Sequence, residues 1–372
     1  MAAMKVLVMG GTQFNGRALV GELVRVGHDV SICNRGRTPA ELPEGVSRLI
    51  ADRTDHQSLR DALRGTDWDC VYDLTAYHPP DVEIMLELLD GRTGHYVFAS
   101  STVIYGASDV LPVAEDGGDE RGPDQNEYGL HKLLCEDLLL AAHAERGFPA
   151  TTVAFSMVFG PHNTLYDREQ RMFARLLAGR PVLVPGDGTT LLQLGHVDDQ
   201  ARALEQMMGR PVTFGRRYNL TGRQAVTRNG YVDLAEQTTG CRAQRVTIPS
   251  ETMERLWTGE LQVGSGAASL GMDIRPSAGS ERSARNPRAD MLRRRFQVAQ
   301  LVQHLAPNIW WWNRSTVFSI DRLRSDIGWE PQHDLVSMFE HTYEWYRRSG
   351  RAEADENRFD WSFEDALLSE LR

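Results

Sequence analysis

The sequence predicts an α/β protein: a doubly wound parallel sheet followed by a smaller α/β domain. Three observations carry that prediction. An apolar run, Val6-Leu7-Val8, stops at the pair Gly10-Gly11, as a strand buried on both faces does. Beyond the glycines, Leu19, Leu23 and Val26 recur at helical spacing, Gly27 closes the helix, and His28–Cys33 reads as strand again. Strand-like and helical stretches then keep alternating to about residue 160, the pattern of a sheet whose crossovers are helices.

The glycine turn is where a ligand would enter. A helix N-terminus offers unpaired N–H groups and partial positive charge, so a pyrophosphate docks there when no Cβ blocks its approach. Gly10 permits the tight turn and Gly16 close helix–strand packing, whereas Gln13 stands where such sites often carry a middle glycine. This is the signature of a Rossmann-type dinucleotide site. At the end of the second strand, the acid that would take a ribose 2′-hydroxyl is missing, and Asn34, Arg35 and Arg37 stand there instead. An acid repels a 2′-phosphate and arginine forks bind one, so NADP is expected ahead of NAD.

Further along, Arg48–Ala51 reads as a third strand ending at Asp52-Arg53, where Asp52 is placed to accept from an adenine amino group. Ser58–Arg64 reads as helix and Cys70–Leu74 as a fourth strand, delivering Thr75, Ala76 and Tyr77 to the carboxyl edge of the sheet, where ligands bind. Pro79-Pro80 is expected to break the chain before a helix at Val82–Leu89. Tyr96–Ser100 is a fifth strand with Ser101 and Thr102 at its tip, and the acidic, Gly/Pro-bearing stretch 107–126 reads as a solvated connection. Asn126–His143 is helical, with Leu130, Leu134 and Leu138 one turn apart. Thr151–Val158 reads as one sixth strand, Gln200–Met208 as helix, and two of the three closing stretches 318–329, 335–347 and 363–371 as helix. The Gly/Ala/Ser-rich stretch 262–290 is expected to be a long surface excursion or lid.

Bulk composition narrows the function classes. A chain of 372 residues is long enough for about two domains with a real core. A net charge of −10 argues against a general binder of nucleic acid or anionic membrane surfaces. Cys33, Cys70, Cys135 and Cys241 show neither CxxC nor zinc spacing and read as reduced residues of a cytoplasmic protein. The first strand begins by Lys5, leaving no room for a signal peptide, and no apolar run approaches the ~20 residues of a membrane span. His78, His162 and His196 lie near strand ends without metal-site spacing, so no metal is expected.

Ser101, Tyr128 and Lys132 have a joint reading. Tyr128 and Lys132 are four apart, hence on one helical face. A phenol titrates near ~10 in water and is a poor base at neutral pH. An ammonium one turn away favours the phenolate, and an oxidised nicotinamide pushes the same way. The phenol can then take or give a hydroxyl proton while hydride moves, with the Ser101 hydroxyl holding the same substrate oxygen.

At this point the chain resembles the extended short-chain dehydrogenase/reductases, the NAD-dependent epimerase/dehydratase group. The motifs are GGTQFNG (10–16), ADRTD (51–55), DLTAY (73–77), FASSTVIYG (98–106), YGLHK (128–132), VFGP (158–161), PGDGTTLLQLGHVDD (185–199) and IDRLRSDIGWEP (320–331). The resemblance implies that Tyr128 is the acid/base, Lys132 its partner and a ribose ligand, and Ser101 the orienting hydroxyl. It implies cofactor contacts from Gly10, Thr12, Gln13, Phe14, Asn15, Gly16, Asn34, Arg35, Arg37, Asp52, Arg53, Leu74, Thr75, Ala76, Ser100 and Phe155, and substrate contacts from Tyr77, His78, Thr102, Met157, His162 and Gln193. Three departures matter. Thr102-Val103 replace the Asp-Glu pair of the sugar dehydratases, which disfavours dehydration. Leu192 and Gln193 occupy the stretch after the GDG turn where many nucleotide-sugar enzymes place an arginine, and Met157 replaces an asparagine. GGTQF, DLTAY and QLGHV are also similar to an atypical branch that includes chloroplast stem-loop-binding proteins, some of which act on RNA.

The expectation is therefore an NAD(P)-dependent enzyme transferring hydride at a secondary alcohol or ketone of a sugar-like substrate, as nucleotide-sugar epimerase or reductase. The alternative is an RNA-binding or structural member that keeps the fold without the chemistry, supported by the arginines at 282–295 and opposed by the net charge. Residues 1–185 are expected to form the nucleotide domain, with return segments near 192–225 and 313–330, and 186–372 a discontinuous substrate domain. A small-molecule partner, no membrane and a homodimer through helices complete the reading. Trp310-Trp311-Trp312 would line a substrate wall or pack between domains.

Overall fold

The computed structural model describes residues 2–166, 168–258, 260–261, 263, 313–355 and 358–371. The stretches 262–290 and 282–295 and the tryptophans 310–312 lie outside the described residues, apart from Val263. Contacts divide the chain into two compact units: Met1–Thr164 with Gln193–Ala225 and Val317–Met338, and Leu165–Leu192 with Val226–Thr316 and Phe339–Arg372.

The first unit opens with β1 (Lys5–Met9), α1 (Phe14–Val26), β2 (Asp29–Asn34), β3 (Ser47–Ile50), α2 (His56–Leu63), β4 (Cys70–Asp73), α3 (Pro79–Leu89), β5 (Tyr96–Ser101), α4 (Glu127–Arg146) and β6 (Ala150–Phe155). With the later strand Arg216–Leu220 they form a seven-stranded sheet in the order Arg216–Leu220, β6, β5, β4, β1, β2, β3. Every neighbouring pair in that order runs parallel. The order reverses between β1 and β4, the switch point at which such sheets bind ligands. Val6, Leu7 and Val8 are fully buried, because helices cover both faces. Leu19, Val20 and Leu23 of α1 pack with Val6, Val8, Ile32 and Tyr72 on one face. Leu59, Val82, Met85, Cys135 and Leu139 pack with Leu7, Val71 and Phe98 on the other.

Helix boundaries follow local chemistry. Gly27 ends α1 at φ 99°, a conformation that disfavours side chains, and donates back to Leu23 and Val24. Asp55 caps α2 by accepting from the Gln57 and Ser58 amides. Asn126 does the same for α4 through the Gly129 amide.

Three expectations need correction. Pro79 and Pro80 do not precede the helix; they are its first two residues, where the missing N–H is no loss. Thr151–Val158 is not one strand. It breaks at Ser156, whose amide donates to Leu220, and Met157–Phe159 leaves the sheet to pair with Leu194–His196. The stretch 107–126 is not merely solvated: Val113 exchanges backbone hydrogen bonds with Val317 and Ser319, and Glu115 is buried beside Asn219. On α4 two of the leucines at one-turn spacing face outward, Leu130 being 36% and Leu134 38% exposed, Leu138 packs on the margin of the core, and Leu133, Cys135 and Leu139 are buried.

In the second unit, strand Val182–Pro185 pairs in parallel with Arg245–Ile248. Leu183, Ile248, Met253, Leu256 and Leu367 form its core. Helix Glu169–Leu177, unmarked in the sequence reading, carries the buried Arg175, which donates to both oxygens of Glu364 at 2.6 Å in the C-terminal helix Ser362–Glu370. Among the described residues no helix is long and apolar enough to cross a membrane.

Candidate active site

The carboxyl ends of β1, β2 and β4 open into a cavity of about 650 Å³ lined only by residues of the first unit. Its bed is the glycine turn. Gly10 and Gly11 adopt φ of 110° and 86°. A Cβ on Gly11 would lie 2.6 Å from Ile32 Cγ2, and one on Gly16 would lie 2.8 Å from the Gly11 amide nitrogen. Gly16 thus lets the first turn of α1 close onto the glycine turn itself. Gln13 is the residue preceding α1, its carbonyl accepting from Gly16 and Arg17. These clearances fit a pyrophosphate at the helix N-terminus.

Thr12, Gln13, Phe14, Asn15, Asn34, Arg35, Arg37, Asp52, Arg53, Leu74, Thr75, Tyr77 and His78 join Gly10 and Gly16 around this cavity. Ala76, Ser100, Phe155, Ser101, Thr102, Tyr128, Lys132, Met157, His162 and Gln193 do not line it. At its outer rim Asn34 is committed to the backbone: Nδ2 donates to the Gly10 carbonyl at 3.1 Å and Oδ1 accepts from the Gly36 amide at 2.9 Å. Arg35 and Arg37 are exposed. Asp52 accepts from the Thr54 hydroxyl and amide, which with Arg35 and Arg37 hold its carboxyl below the usual range.

On the other side of the switch point, Lys132 is 2% exposed. Its Nζ donates to the carbonyls of Ala76 and Ala99, each at 2.7 Å, so it fastens α4 to the ends of both β4 and β5. The rings of Tyr77 and Phe98 each lie 4.7 Å from it and that of Tyr128 lies 5.7 Å away. Burial pulls its pKa down to about 8. The two carbonyls use two of the three ammonium N–H groups, leaving a third donor. Ser101 ends β5, and its Oγ accepts from the Val103 amide at 3.3 Å, so its O–H can donate elsewhere. The rings of Tyr77 and Tyr128 lie 6.1 Å apart, and His78 Nδ1 stands 2.9 Å from His131 Nδ1. Tyr128 and Lys132 therefore share one corner, flanked by the loop after β4, and Ser101 ends the strand whose Ala99 carbonyl Lys132 holds.

Other expected positions have structural duties. The Gln193 amide is used at both ends, donating to the Gly222 carbonyl and accepting from the Phe318 amide. Thr102 and Ser100 are buried, as is Phe155. His162 adopts φ 64° and Met157 is half-buried. His196 is fully buried, its ring stacked 3.8 Å from that of His333, and its Nδ1 accepts from the Asp198 amide. His196, Asp198 and His333 thus come together although nothing in their spacing marked them, with donor atoms within 4.8 Å of one another. The sequence reading also missed the partner of Arg53. Asp73, fully buried, receives Arg53 Nη2 at 2.5 Å and the Tyr96 hydroxyl at 2.6 Å. Burial opposes the Asp73 charge, yet Arg53, Tyr96 and the Thr75 amide together hold its carboxyl below the usual range.

Residues 6–221 match the model of the NAD-dependent epimerase/dehydratase family. The chain belongs to that family. Among relatives, a chloroplast stem-loop binding protein of 41 kDa from Arabidopsis thaliana is 33% identical over 240 residues, 61% of this chain and 61% of that protein. A 2′-dehydrokanamycin reductase from Streptomyces kanamyceticus is 28% identical over 67% of this chain and 70% of its own. The chain thus spans about three fifths of the length of the first relative. Family members of solved structure share the fold. An epimerase from Methanothermobacter thermautotrophicus superposes with a TM-score of 0.68 at 18% identity over 94% of each chain. A UDP-glucose 4-epimerase from Thermotoga maritima, solved with UDP-glucose, gives 0.68 at 18% identity over 92% of this chain and 99% of its own.

Proposed function

We propose that this protein is an NAD(P)-dependent enzyme that transfers hydride at a secondary alcohol or ketone of a sugar-like substrate, and that its net reaction is ketone reduction. The observation that carries the hydride-transfer reading is the corner built on Lys132. A buried ammonium ties α4 to the ends of β4 and β5 and lies 5.7 Å from the centre of the Tyr128 ring with one N–H unspent, next to a glycine-bedded cleft. Bound in that cleft, a nicotinamide supplies the hydride. The chain's part is to move the proton and hold the substrate. Tyr128 gives its hydroxyl proton to the forming alkoxide, or takes it back in the reverse direction. Ser101 donates to the same oxygen, and the ammonium favours the phenolate left behind.

Reduction is favoured over nucleotide-sugar epimerisation because Leu192 is buried and the Gln193 amide is consumed by backbone, so the stretch after the GDG turn offers no cation to a diphosphate. The kinship with a reductase acting on a dehydro-aminoglycoside supports the same choice. Arg35 and Arg37 at the rim support NADP over NAD.

Keto-glycosides incubated with NADPH test the proposal: a reductase consumes the cofactor stoichiometrically, an epimerase turns over with cofactor retained. Tyr128→Phe should lower either activity by about a hundredfold or more while leaving NADPH bound. Full activity in that variant rejects the mechanism. Salt-sensitive binding of stem-loop RNA without NADPH oxidation would favour the activity that the name of the Arabidopsis relative carries.

A further inference from the structure

Arg53 follows β3, the edge strand, yet grips a carboxylate at the end of β4, three places away in the sheet order. Asp73 is shared. One oxygen takes Arg53 and the Tyr96 hydroxyl; the other accepts the Thr75 amide at 3.1 Å and the Ala76 amide at 3.0 Å. The Ala76 carbonyl in turn accepts from Lys132. A continuous run of hydrogen bonds therefore leads from Arg53 through Asp73 and the loop Leu74–Tyr77 to the catalytic ammonium. Arg53 itself lines the cavity beside Ala51, Asp52 and Thr54, the side on which the adenosine half of a dinucleotide lies in a sheet of this order. Its Nε and Nη1 are buried and meet no acceptor in the protein. Unpaired buried N–H groups on a fixed guanidinium call for an acceptor that the chain does not supply.

We propose that Arg53 is a positioning residue that reports occupation of the adenosine half of the cleft to the nicotinamide half. An acceptor atom on the adenosine moiety completes the Arg53 donor set, and Asp73 passes the added order to the Thr75 and Ala76 amides and so to Lys132. This inference rests on the dinucleotide reading of the cleft and goes beyond it, because it makes the two halves of the cofactor energetically coupled through the protein.

The test uses 5′-AMP, which carries the adenosine half alone, and follows amide hydrogen exchange in the full chain. Saturating 5′-AMP should slow exchange at Thr75 and Ala76 about tenfold, although the probe has no nicotinamide to touch that loop. In Arg53→Met, which leaves Asp73 three other donors, saturating 5′-AMP should leave exchange at those amides unchanged. Arg53→Lys, which keeps charge but not the fork, serves if the first variant does not fold, and should lose most of the effect. Binding of 5′-AMP to the wild type without slower exchange overturns the inference, as does equal slowing in the wild type and Arg53→Met. Failure of the wild type to bind 5′-AMP, NADH and NADPH at all would instead overturn the dinucleotide reading, and this inference with it.

Discussion

At the corner proposed for catalysis Lys132 is buried, two of its N–H groups end on backbone carbonyls, and three aromatic rings surround it. At the opposite rim Arg35 and Arg37 stand in solvent, and the anchored polar side chain between them and the glycine turn is Asn34. Charge in the first place acts through low dielectric and fixed geometry; charge in the second is screened by water and salt. Chemistry should therefore be intolerant of change at one end of the cleft, and cofactor preference adjustable at the other.

The largest expected effect tests the corner. Tyr128→Phe should lower kcat by about 10²–10⁴, the usual worth of a general acid, with the dissociation constant for NADPH within about twofold of wild type by fluorescence titration. Lys132→Met should lower kcat/KM by about 10²–10³. The pH profile sharpens that claim. Burial brings the Lys132 amine to about 8, so it loses its proton as pH rises through that value. The neutral amine still has two N–H groups for Ala76 and Ala99, but its third donor and its charge are gone. The kcat/KM profile should then fall on an alkaline limb near 8, and Lys132→Arg, which stays charged, should remove the limb even if overall activity drops.

Between the two ends, Gly16→Ala would force a Cβ to 2.8 Å from the Gly11 nitrogen. Since the atoms it meets, Gly11 N and Cα, are backbone, the turn must move, which should weaken NADPH binding about tenfold and cost about 1–3 kcal/mol in thermal or urea unfolding. The smallest effect belongs to the rim. Removing both Arg35 and Arg37 should weaken NADPH about tenfold at low salt and NADH less than twofold, with the difference shrinking as salt rises. Equal loss for both cofactors would break the contrast between the two ends.

Much of this was legible in the sequence because the signals are local. Val6-Leu7-Val8 before a glycine pair announces strand and turn, and a four-residue spacing puts Tyr128 and Lys132 on one helical face, without distant partners. What escaped depends on partners far along the chain. Arg216–Leu220 reads as polar, yet it is a sheet strand, because Arg217 pairs with Glu136 and Asp119, Tyr218 with Asp326, and Asn219 with Tyr105. The continuous β-branched run around Val153 hid the break at Ser156, which depends on a strand more than sixty residues later. Arg53 follows β3 and Asp73 ends β4, 20 residues on, and nothing in either neighbourhood shows that they meet.

The double duty of Asn34 bears on how coenzyme use can evolve in this protein. Installing the acid that suits a free ribose hydroxyl, Asn34→Asp, would aim a carboxylate oxygen at the Gly10 carbonyl and remove the donor that now braces the turn. If the protein uses NADP as proposed, a shift toward the unphosphorylated coenzyme meets this obstacle at the end of β2. Selection, or an engineer, would have to work through 35 and 37 first.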